Sequence, residues 1–202
     1  MTSPTDTDQL WDTIHHERAR LLTLLRSLDR AEWDQPSLCA GWRVRDVAAH
    51  TISSSDYSTP GMVLGMVRAR GDFNRLVDRL AKEQGAQPVE AIMARYERQV
   101  TSRRRPPGTK PQDPLVDVLV HSQDIAIPLG REHPMPAAAA REAAAFVWTR
   151  GFPFDAQRHH AGTRFVATDV DFEAGEGATT EAPIADILLT MTGRPTVWTD
   201  CG

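Results

Sequence analysis

The sequence DPLVDVLVHSQDIA at residues 113–126 predicts a helix in which a few polar groups stand among apolar ones. Asp can cap the exposed amide groups of a helix and Pro belongs at its first position, so Asp113 and Pro114 predict the start. Pro128 and Gly130 predict the end, because proline disfavours a helical residue before it and glycine accepts a left-handed turn. We therefore expect the helix to span this whole segment.

Two side chains of this helix have the spacing of metal ligands. Asp117 and His121 are four residues apart, so they emerge from one face, one turn apart, and can meet a single ion. His50, from a separate predicted helix with apolar neighbours, could supply a third ligand and leave at least one position open. Zinc suits two imidazoles and a carboxylate, and so do ferrous iron, nickel and manganese. The same spacing is also common in solvated ion pairs, so the pattern alone leaves the metal open.

Helical spacing of apolar residues recurs through the first two thirds of the chain. Proline near residue 88 favours a first helical turn, and the alanine-rich stretch after residue 136 has high helix propensity. The predicted helices, besides residues 113–126, are Gln9 to Leu28, a segment containing Val44 to Ile52, Gly61 to Gln84, Pro88 to Val100, and Ala137 to Trp148.

The last part of the chain has a different character. Residues 163–172 alternate with a period of two, which predicts a strand, and Gly175 and Gly177 predict a turn. Residues 183–191 predict a short helix, and residues 196–198 a final strand. The fold class is therefore α+β, mainly α, and we expect a helical domain at residues 1–134 and a small α+β domain at residues 135–202.

Composition excludes several classes of function. With 41% hydrophobic and 25% charged residues the chain is typical of a globular protein. The net charge of -4 gives no basic field for nucleic acid, and no apolar stretch approaches the roughly 20 residues of a membrane-spanning helix. The two cysteines, Cys39 and Cys201, lie far apart, and the N-terminus lacks the apolar core of a signal peptide. We therefore expect a cytoplasmic protein that binds neither nucleic acid nor membrane.

Two motifs resemble a known family. The sequence LCAGWRVRDVAAH at residues 38–50 resembles the opening motif of the mycothiol-dependent maleylpyruvate isomerase family, which is part of the DinB-like superfamily. The sequence DVLVHSQDI at residues 117–125, followed by PLGR at residues 128–131, resembles the second motif of that family. Residues 167–170, 188–189 and 193–194 resemble the small C-terminal domain often attached to these bundles. The resemblance covers most of the chain.

The resemblance implies a DinB-like four-helix bundle with a small α+β domain, and a metal held by His50, Asp117 and His121. It also implies mycothiol as a cofactor, whose metal-bound thiolate attacks a small electrophilic substrate, since a coordinated thiol is deprotonated. The product then stays as a conjugate, as in a transferase, or eliminates after bond rotation, as in an isomerase. The chain departs from the characterised isomerase at Asp117, where that enzyme has the longer Glu.

Three further residues are considered for roles in the chemistry. Asp124, three residues beyond His121, could orient a ligand or hold a cofactor amine or hydroxyl; a surface ion pair is the alternative. Arg194 is a candidate clamp for an anionic substrate, because guanidinium pairs with carboxylate through two hydrogen bonds; simple exposure is the alternative. Cys39 is not predicted as a catalytic thiol, because the sequence has no histidine and carboxylate pattern typical of a cysteine hydrolase. We expect it to pack beside Trp42.

The sequence favours an enzyme, and two other functions stay open. A hydrolase would keep the metal and use its bound water, since an open zinc position lowers the pKa of that water to roughly 7. A non-catalytic bundle would keep the fold and bind a small molecule or a partner. Thiol dependence distinguishes the first alternative from a transferase or isomerase, and metal content distinguishes the second.

Overall fold

The computed structural model describes residues 4–53, 67, 69–106 and 108–194. The predicted strand at 196–198, and residues 61–66 and 68 of the helix predicted at 61–84, lie outside these residues. In the described part of that segment a helix begins at Phe73, where the side chain of the preceding Asp72 caps it, so the prediction of one helix running through this point is wrong. The chain divides into two compact units, Met1–His133 and Pro134–Gly202. The fold class is confirmed as α+β and mainly α, with helices in both units and strands described only in the second.

The first unit is helical in the described residues. The bounds are α1 Pro4–Arg26, a 3-10 helix Glu32–Asp34, α2 Val44–Ser53, α3 Phe73–Gly85, α4 Val89–Gln99 and α5 Asp113–Ala126. Helix α2 packs against α3, α4 and α5, and α1 packs against α4 and α5.

Apolar faces of these helices form the core of the first unit. Helix α5 has apolar residues on nearly every side, and most of its side chains are buried. Such burial of apolar surface contributes about 25 cal/mol per Å² and is the main force holding the helices together. The core includes Leu21, Leu25, Trp33, Val44, Val47, Ala48, Ile92, Tyr96, Val118 and Ile125.

Helix α5 has the bounds that the sequence predicts, but its cap differs. The capping residue is Gln112, without a side-chain cap hydrogen bond, and Asp113 is already the first helical residue. The Asp113 carboxylate accepts a hydrogen bond from the backbone N–H of Lys110 (2.5 Å), which precedes the helix. The prediction that Asp113 is the cap is therefore wrong by one residue. At the other end Gly130 has φ +61°, the left-handed conformation expected there.

A tight loop connects the 3-10 helix to α2. Gln35 accepts a hydrogen bond from the Val44 N–H (2.9 Å), and Trp42 accepts one from the Ser37 N–H (3.0 Å). Gly41 has φ +77°, a conformation that glycine adopts without the penalty other residues incur. These contacts hold the loop closed, and they fix the positions of the side chains between residues 38 and 42.

The described part of the second unit, residues 134–194, contains a small sheet and three helices. The strands are β1 Thr163–Ala167, β2 Glu173–Gly175 and β3 Ala178–Ala182, and the helices are α6 Ala137–Thr149, α7 Ala156–His159 and α8 Ile184–Met191. The strand order is β2-β1-β3; β1 pairs antiparallel with β2 and parallel with β3. Helix α6 packs against α8.

The strand predicted at residues 163–172 is twice as long as the strand observed. Strand β1 ends at Ala167, where the chain turns back and the Ala167 N–H donates to the carbonyl oxygen of Phe172 (3.0 Å). The alternation of polar and apolar residues continues through this turn, so periodicity alone could not locate the end of the strand.

Candidate metal centre

Helices α2 and α5 bring three predicted ligands together. Asp117 and His121 lie one turn apart on α5, and His50 lies in the last turn of α2. The Nε2 atoms of His50 and of His121 are each 3.6 Å from Oδ1 of Asp117. One ligand atom from each of the three residues lies within 4.8 Å of the others. The helix packing therefore brings together the three residues that the sequence predicted as ligands.

This donor set fits a divalent cation. Ligands of a tetrahedral zinc ion, at about 2.0–2.1 Å from the metal, are separated from one another by about 3.3 Å. The observed 3.6 Å between each histidine nitrogen and the Asp117 oxygen is close to that separation. The three side chains are only partly exposed, 16%, 22% and 13% for His50, Asp117 and His121. Two nitrogens and one oxygen thus face one another in a mostly enclosed place.

The other nitrogen of the His121 ring is held by Asp124. Its Nδ1 lies 2.7 Å from Oδ2 of Asp124, a fully buried carboxylate. The thiol of Cys39 donates to the same Oδ2 at 3.1 Å, and its sulfur lies 3.8 Å from Nδ1 of His121. The backbone N–H of Leu38 donates to the carbonyl oxygen of Asp124 (3.0 Å), which ties the loop to α5.

These neighbours change the acidity of the histidine. Burial by itself lowers the pKa of His121, but the hydrogen bonds with Asp124 and Cys39 and the negative charge of Asp117 outweigh it. The pKa of His121 is thereby raised to about 10. Without a metal the imidazolium form is therefore favoured, and a cation that binds Nε2 has to displace a proton.

Trp42 forms one wall of the site. Its ring meets the His50 ring edge-on, with centroids 5.2 Å apart, and lies nearly parallel to the His121 ring at 6.4 Å. The indole N–H donates to Oδ1 of Asp78 (2.9 Å), which also pairs with Lys82 (2.7 Å). The hydrogen bonds from Lys82 and Trp42 lower the pKa of Asp78. The indole is thus held by the hydrogen bond to Asp78 and by its contacts with the two histidine rings.

A buried cation interacts electrostatically with Asp117. Arg18 of α1 is only 7% exposed, and its Nη1 donates to the carbonyl oxygen of Ser102 (2.7 Å). Burial lowers the pKa of Arg18, and the negative charge of Asp117 opposes that effect. Sequence reasoning missed this residue, although a signal for it exists: Arg18 stands at helical spacing between Ile14 and Leu21, on the apolar face of α1.

The structure gives Cys39 partners that the sequence did not reveal. A histidine and a carboxylate do accompany it in space, although they are more than eighty residues away in sequence, and Cys39 with His121 and Asp124 forms a second group of potential ligands. Cys39 also packs beside Trp42 as expected, since its carbonyl oxygen accepts from the Trp42 N–H (3.0 Å). Because Cys39 lies in a loop so far from the two residues of α5, no local sequence pattern connects the three.

The two predicted catalytic residues lie in different units. Asp124 is in the first unit, where its carboxylate contacts the candidate ligand His121. Arg194 is in the second unit, just after α8, and its Nη1 donates to the Thr192 carbonyl oxygen (2.7 Å). A contact of Arg194 with substrate stays a prediction.

Comparisons with known proteins agree with the two motifs. Residues 14–105 match the model of the family described as Mycothiol maleylpyruvate isomerase N-terminal domain. This range includes the first motif and His50, and it ends before Asp117. No curated protein matches the chain. The resemblance to the family is confirmed by this match.

Two solved structures share the fold over nearly the whole chain. One is a crystal structure of the mycothiol-dependent maleylpyruvate isomerase, with 15% sequence identity, a TM-score of 0.67, and coverage of 98% of this chain and 94% of the other. The second is a histidine-to-alanine mutant of the mycothiol-dependent maleylpyruvate isomerase, with 14% identity, a TM-score of 0.65, and coverage of 96% and 93%. At this level of identity the likeness concerns the fold alone.

Proposed function

We propose a function from the premise that residues 14–105 belong to the mycothiol maleylpyruvate isomerase N-terminal domain family. On this proposal the chain is a metal-dependent enzyme that uses a small thiol, mycothiol, to act on a small electrophilic substrate. The observation that carries the proposal is the convergence of His50, Asp117 and His121, with both Nε2 atoms 3.6 Å from Oδ1 of Asp117.

The proposed cofactors are a divalent metal ion and mycothiol. His50, Asp117 and His121 would hold the ion, and zinc fits two imidazoles and one carboxylate best, with nickel, iron and manganese as alternatives. When bound, the ion would lower the pKa of the mycothiol thiol so that a thiolate is available at neutral pH. The nucleophile thus comes from the cofactor and needs no activated side chain.

The remaining residues of the site would bind and orient. Trp42 lies against both histidine rings and would limit the access of water to them. Arg18 places a positive charge near Asp117, which favours anionic groups at the site. Asp124 would orient His121, while a role of Arg194, in the second unit, in binding an anionic substrate stays a prediction. Transferase and isomerase activities share the first step, addition of the thiolate, and differ in whether the adduct then eliminates.

Asp117 is the one candidate ligand at which the resemblance implies a departure from the isomerase. An aspartate side chain is one methylene shorter than the glutamate of that enzyme, so the carboxylate reaches less far from α5. We therefore propose the reaction class, thiol addition to an electrophile, more broadly than maleylpyruvate isomerisation. A cytoplasmic location belongs to the same proposal, because a reducing compartment keeps mycothiol in its thiol form.

Metal content tests the first part of the proposal. We expect untagged wild-type protein to carry nearly one ion per chain by mass spectrometry, and His50→Ala and His121→Ala to lose it. His16→Ala is the matched control, since His16 is exposed on α1. Wild-type protein that is free of metal and fully stable would instead support a non-catalytic binding bundle.

Thiol dependence tests the second part. Maleylpyruvate and a panel of other small electrophiles are incubated with wild-type protein, with and without mycothiol, and product is followed by chromatography. We expect turnover only with mycothiol, and its loss in His121→Ala. Turnover without any thiol would overturn the proposal and favour a hydrolase in which metal-bound water is the nucleophile.

A further inference from the structure

We propose that Cys39 and Asp124 act together as positioning residues for His121. Asp124 accepts the Nδ1–H of the His121 ring, and Cys39 donates its thiol proton to the same carboxylate oxygen. Cys39 is then a hydrogen-bond donor behind the metal centre and neither a nucleophile nor a metal ligand. This inference rests on the metal site of the proposed function and extends it to two residues outside the ligand set.

The two nitrogens of His121 face different partners. Nε2 lies 3.6 Å from Oδ1 of Asp117, beside His50, while Nδ1 lies 2.7 Å from Oδ2 of Asp124. A neutral imidazole has one N–H and one lone pair, so a proton kept on Nδ1 leaves the lone pair on Nε2. The short contact with Asp124 therefore selects the tautomer whose free lone pair points toward Asp117.

The geometry around Cys39 argues against a metal–thiolate bond. Its sulfur is 3.1 Å from Oδ2 of Asp124 and 3.8 Å from Nδ1 of His121. A thiolate at 3.1 Å from a buried carboxylate would place two negative charges side by side in a medium of low polarity, which is costly. A proton between sulfur and oxygen removes that repulsion. The contact is therefore favourable when Cys39 is a thiol that donates to Asp124.

The donor is held in place by its loop. The Cys39 N–H donates to Oγ of Ser37 (3.1 Å), and its carbonyl oxygen accepts from the Trp42 N–H (3.0 Å). The Leu38 N–H donates to the Asp124 carbonyl oxygen (3.0 Å), so the same loop is attached to the residue it supports. Asp124 itself is 0% exposed. A carboxylate so enclosed requires such donors.

Zinc affinity, measured by competition with a chromophoric chelator, is the first test. Loss of a hydrogen-bonded partner behind a ligating histidine weakens metal affinity by about 10–100-fold, and we expect a loss of that size in Asp124→Ala. Cys39→Ser keeps a donor and should stay within about threefold of wild type, whereas Cys39→Ala should weaken affinity measurably, because a buried acceptor loses a partner. Ser122→Ala is the matched control, since the buried Ser122 hydroxyl donates only to the Val118 carbonyl oxygen of its own helix among the contacts described (2.6 Å).

Spectroscopy separates positioning from ligation. In cobalt-substituted protein we expect no near-ultraviolet sulfur-to-cobalt charge-transfer band and an unchanged visible spectrum in Cys39→Ser. In zinc-loaded protein, long-range proton–nitrogen NMR should show His121 bound through Nε2 with its proton on Nδ1. A charge-transfer band that disappears in Cys39→Ser would overturn the inference, and so would coordination through Nδ1.

The results distinguish this inference from the proposed function. Wild-type zinc affinity in Asp124→Ala would overturn the positioning role, even if thiol-dependent turnover were found. Conversely, the expected affinities and NMR assignment without any thiol-dependent turnover would leave the positioning role intact and overturn the proposed reaction. Circular dichroism of the zinc-free variants controls for folding, and an Asp124→Asn variant provides a milder change if Asp124→Ala does not fold.

Discussion

His133 shows at the scale of one residue how burial alters a titrating group. Its side chain is half-buried at the end of the first unit and lies near the positive charge of Arg20. Burial, together with the charge of Arg20, lowers the pKa of His133 to about 4. The folded protein therefore keeps this ring neutral at pH values at which the unfolded chain protonates it.

This difference makes stability depend on pH. The contribution of His133 to the free energy of unfolding is fully present above the pKa of about 6.5 that the ring has in the unfolded chain. It is lost as pH falls from there toward 4, because in this range only the unfolded state gains a proton. We expect His133→Gln to reduce the loss in unfolding free energy between about pH 7 and pH 5 by up to about 1 kcal/mol, because the solvent around this partly exposed ring screens the effect. Urea unfolding at each pH measures it. His16→Gln is the control; equal pH profiles for His133→Gln and wild type would contradict the prediction.

The sequence predicted individual residues where local spacing determines their positions. Asp117 and His121 share one helix, so four-residue spacing was enough to place them on one face. The contacts of Cys39 with His121 and Asp124, and the burial of Arg18, were missed because they depend on packing between segments that are distant in sequence. No local pattern contains that information.

At the scale of secondary-structure elements, the contact between helices α2 and α3 depends on a glycine. A Cβ atom added to Gly85 would lie 2.1 Å from Oδ1 and 2.8 Å from Cα of Asp46. Asp46 cannot easily move away, since its carboxylate accepts from the backbone N–H of Arg43 (2.9 Å) and from its side chain (3.1 Å). The close approach of the two helices therefore requires the absence of a side chain at residue 85.

We expect Gly85→Ala to lower the free energy of unfolding by about 1–3 kcal/mol, the usual cost of overpacking a core. Alanine is the better helix former by about 1 kcal/mol in a helix interior, but Gly85 is the last residue of α3, so that gain is smaller. Urea unfolding measures the change. Gly151→Ala is the matched control, because the nearest atom to its added Cβ is 3.6 Å away. Stability equal to wild type in Gly85→Ala would refute the prediction.

Helix bounds were predicted well where the chain carries its own stop signals. Gly130 and Pro128 ended α5 at the expected place because their backbone preferences act locally. Strand β1 was predicted too long, since its end depends on the hydrogen bond between Ala167 and Phe172 across a turn. Pairing of that kind is decided by the sheet and not by the alternation within one strand.

The ligands connect helices α2 and α5, and this has a consequence at the scale of the whole molecule. A metal that binds His50 and His121 in the folded state alone stabilises that state, by about 2.7 kcal/mol at a free concentration roughly one hundred times the Kd. We expect zinc to raise the unfolding temperature of wild type by on the order of 5–10 °C. Scanning calorimetry with zinc and with chelator measures this. His50→Ala should show no such rise; an equal rise in that variant would place the ion elsewhere.

Fold class was predictable because composition and periodicity distinguish the helical part of the chain from the part with strands. None of the helices within the described residues has the length and apolarity that a bilayer crossing requires. The arrangement of α1, α2 and α5 around the ligands was implied by resemblance to the family. The physical pattern of residues did not contain it, because many packings satisfy the same apolar faces.

Trp42 lies against both candidate ligand histidines, and its indole N–H is bound to Asp78. The site therefore contains its own fluorophore. An imidazolium next to an indole quenches its emission, and a metal that replaces the proton on Nε2 of His121 removes that charge from the ring. Titration with zinc should brighten the tryptophan emission of wild type, while Trp42→Phe should keep the signal of the other tryptophans constant. Binding of the metal could then be followed by tryptophan fluorescence, without any substrate.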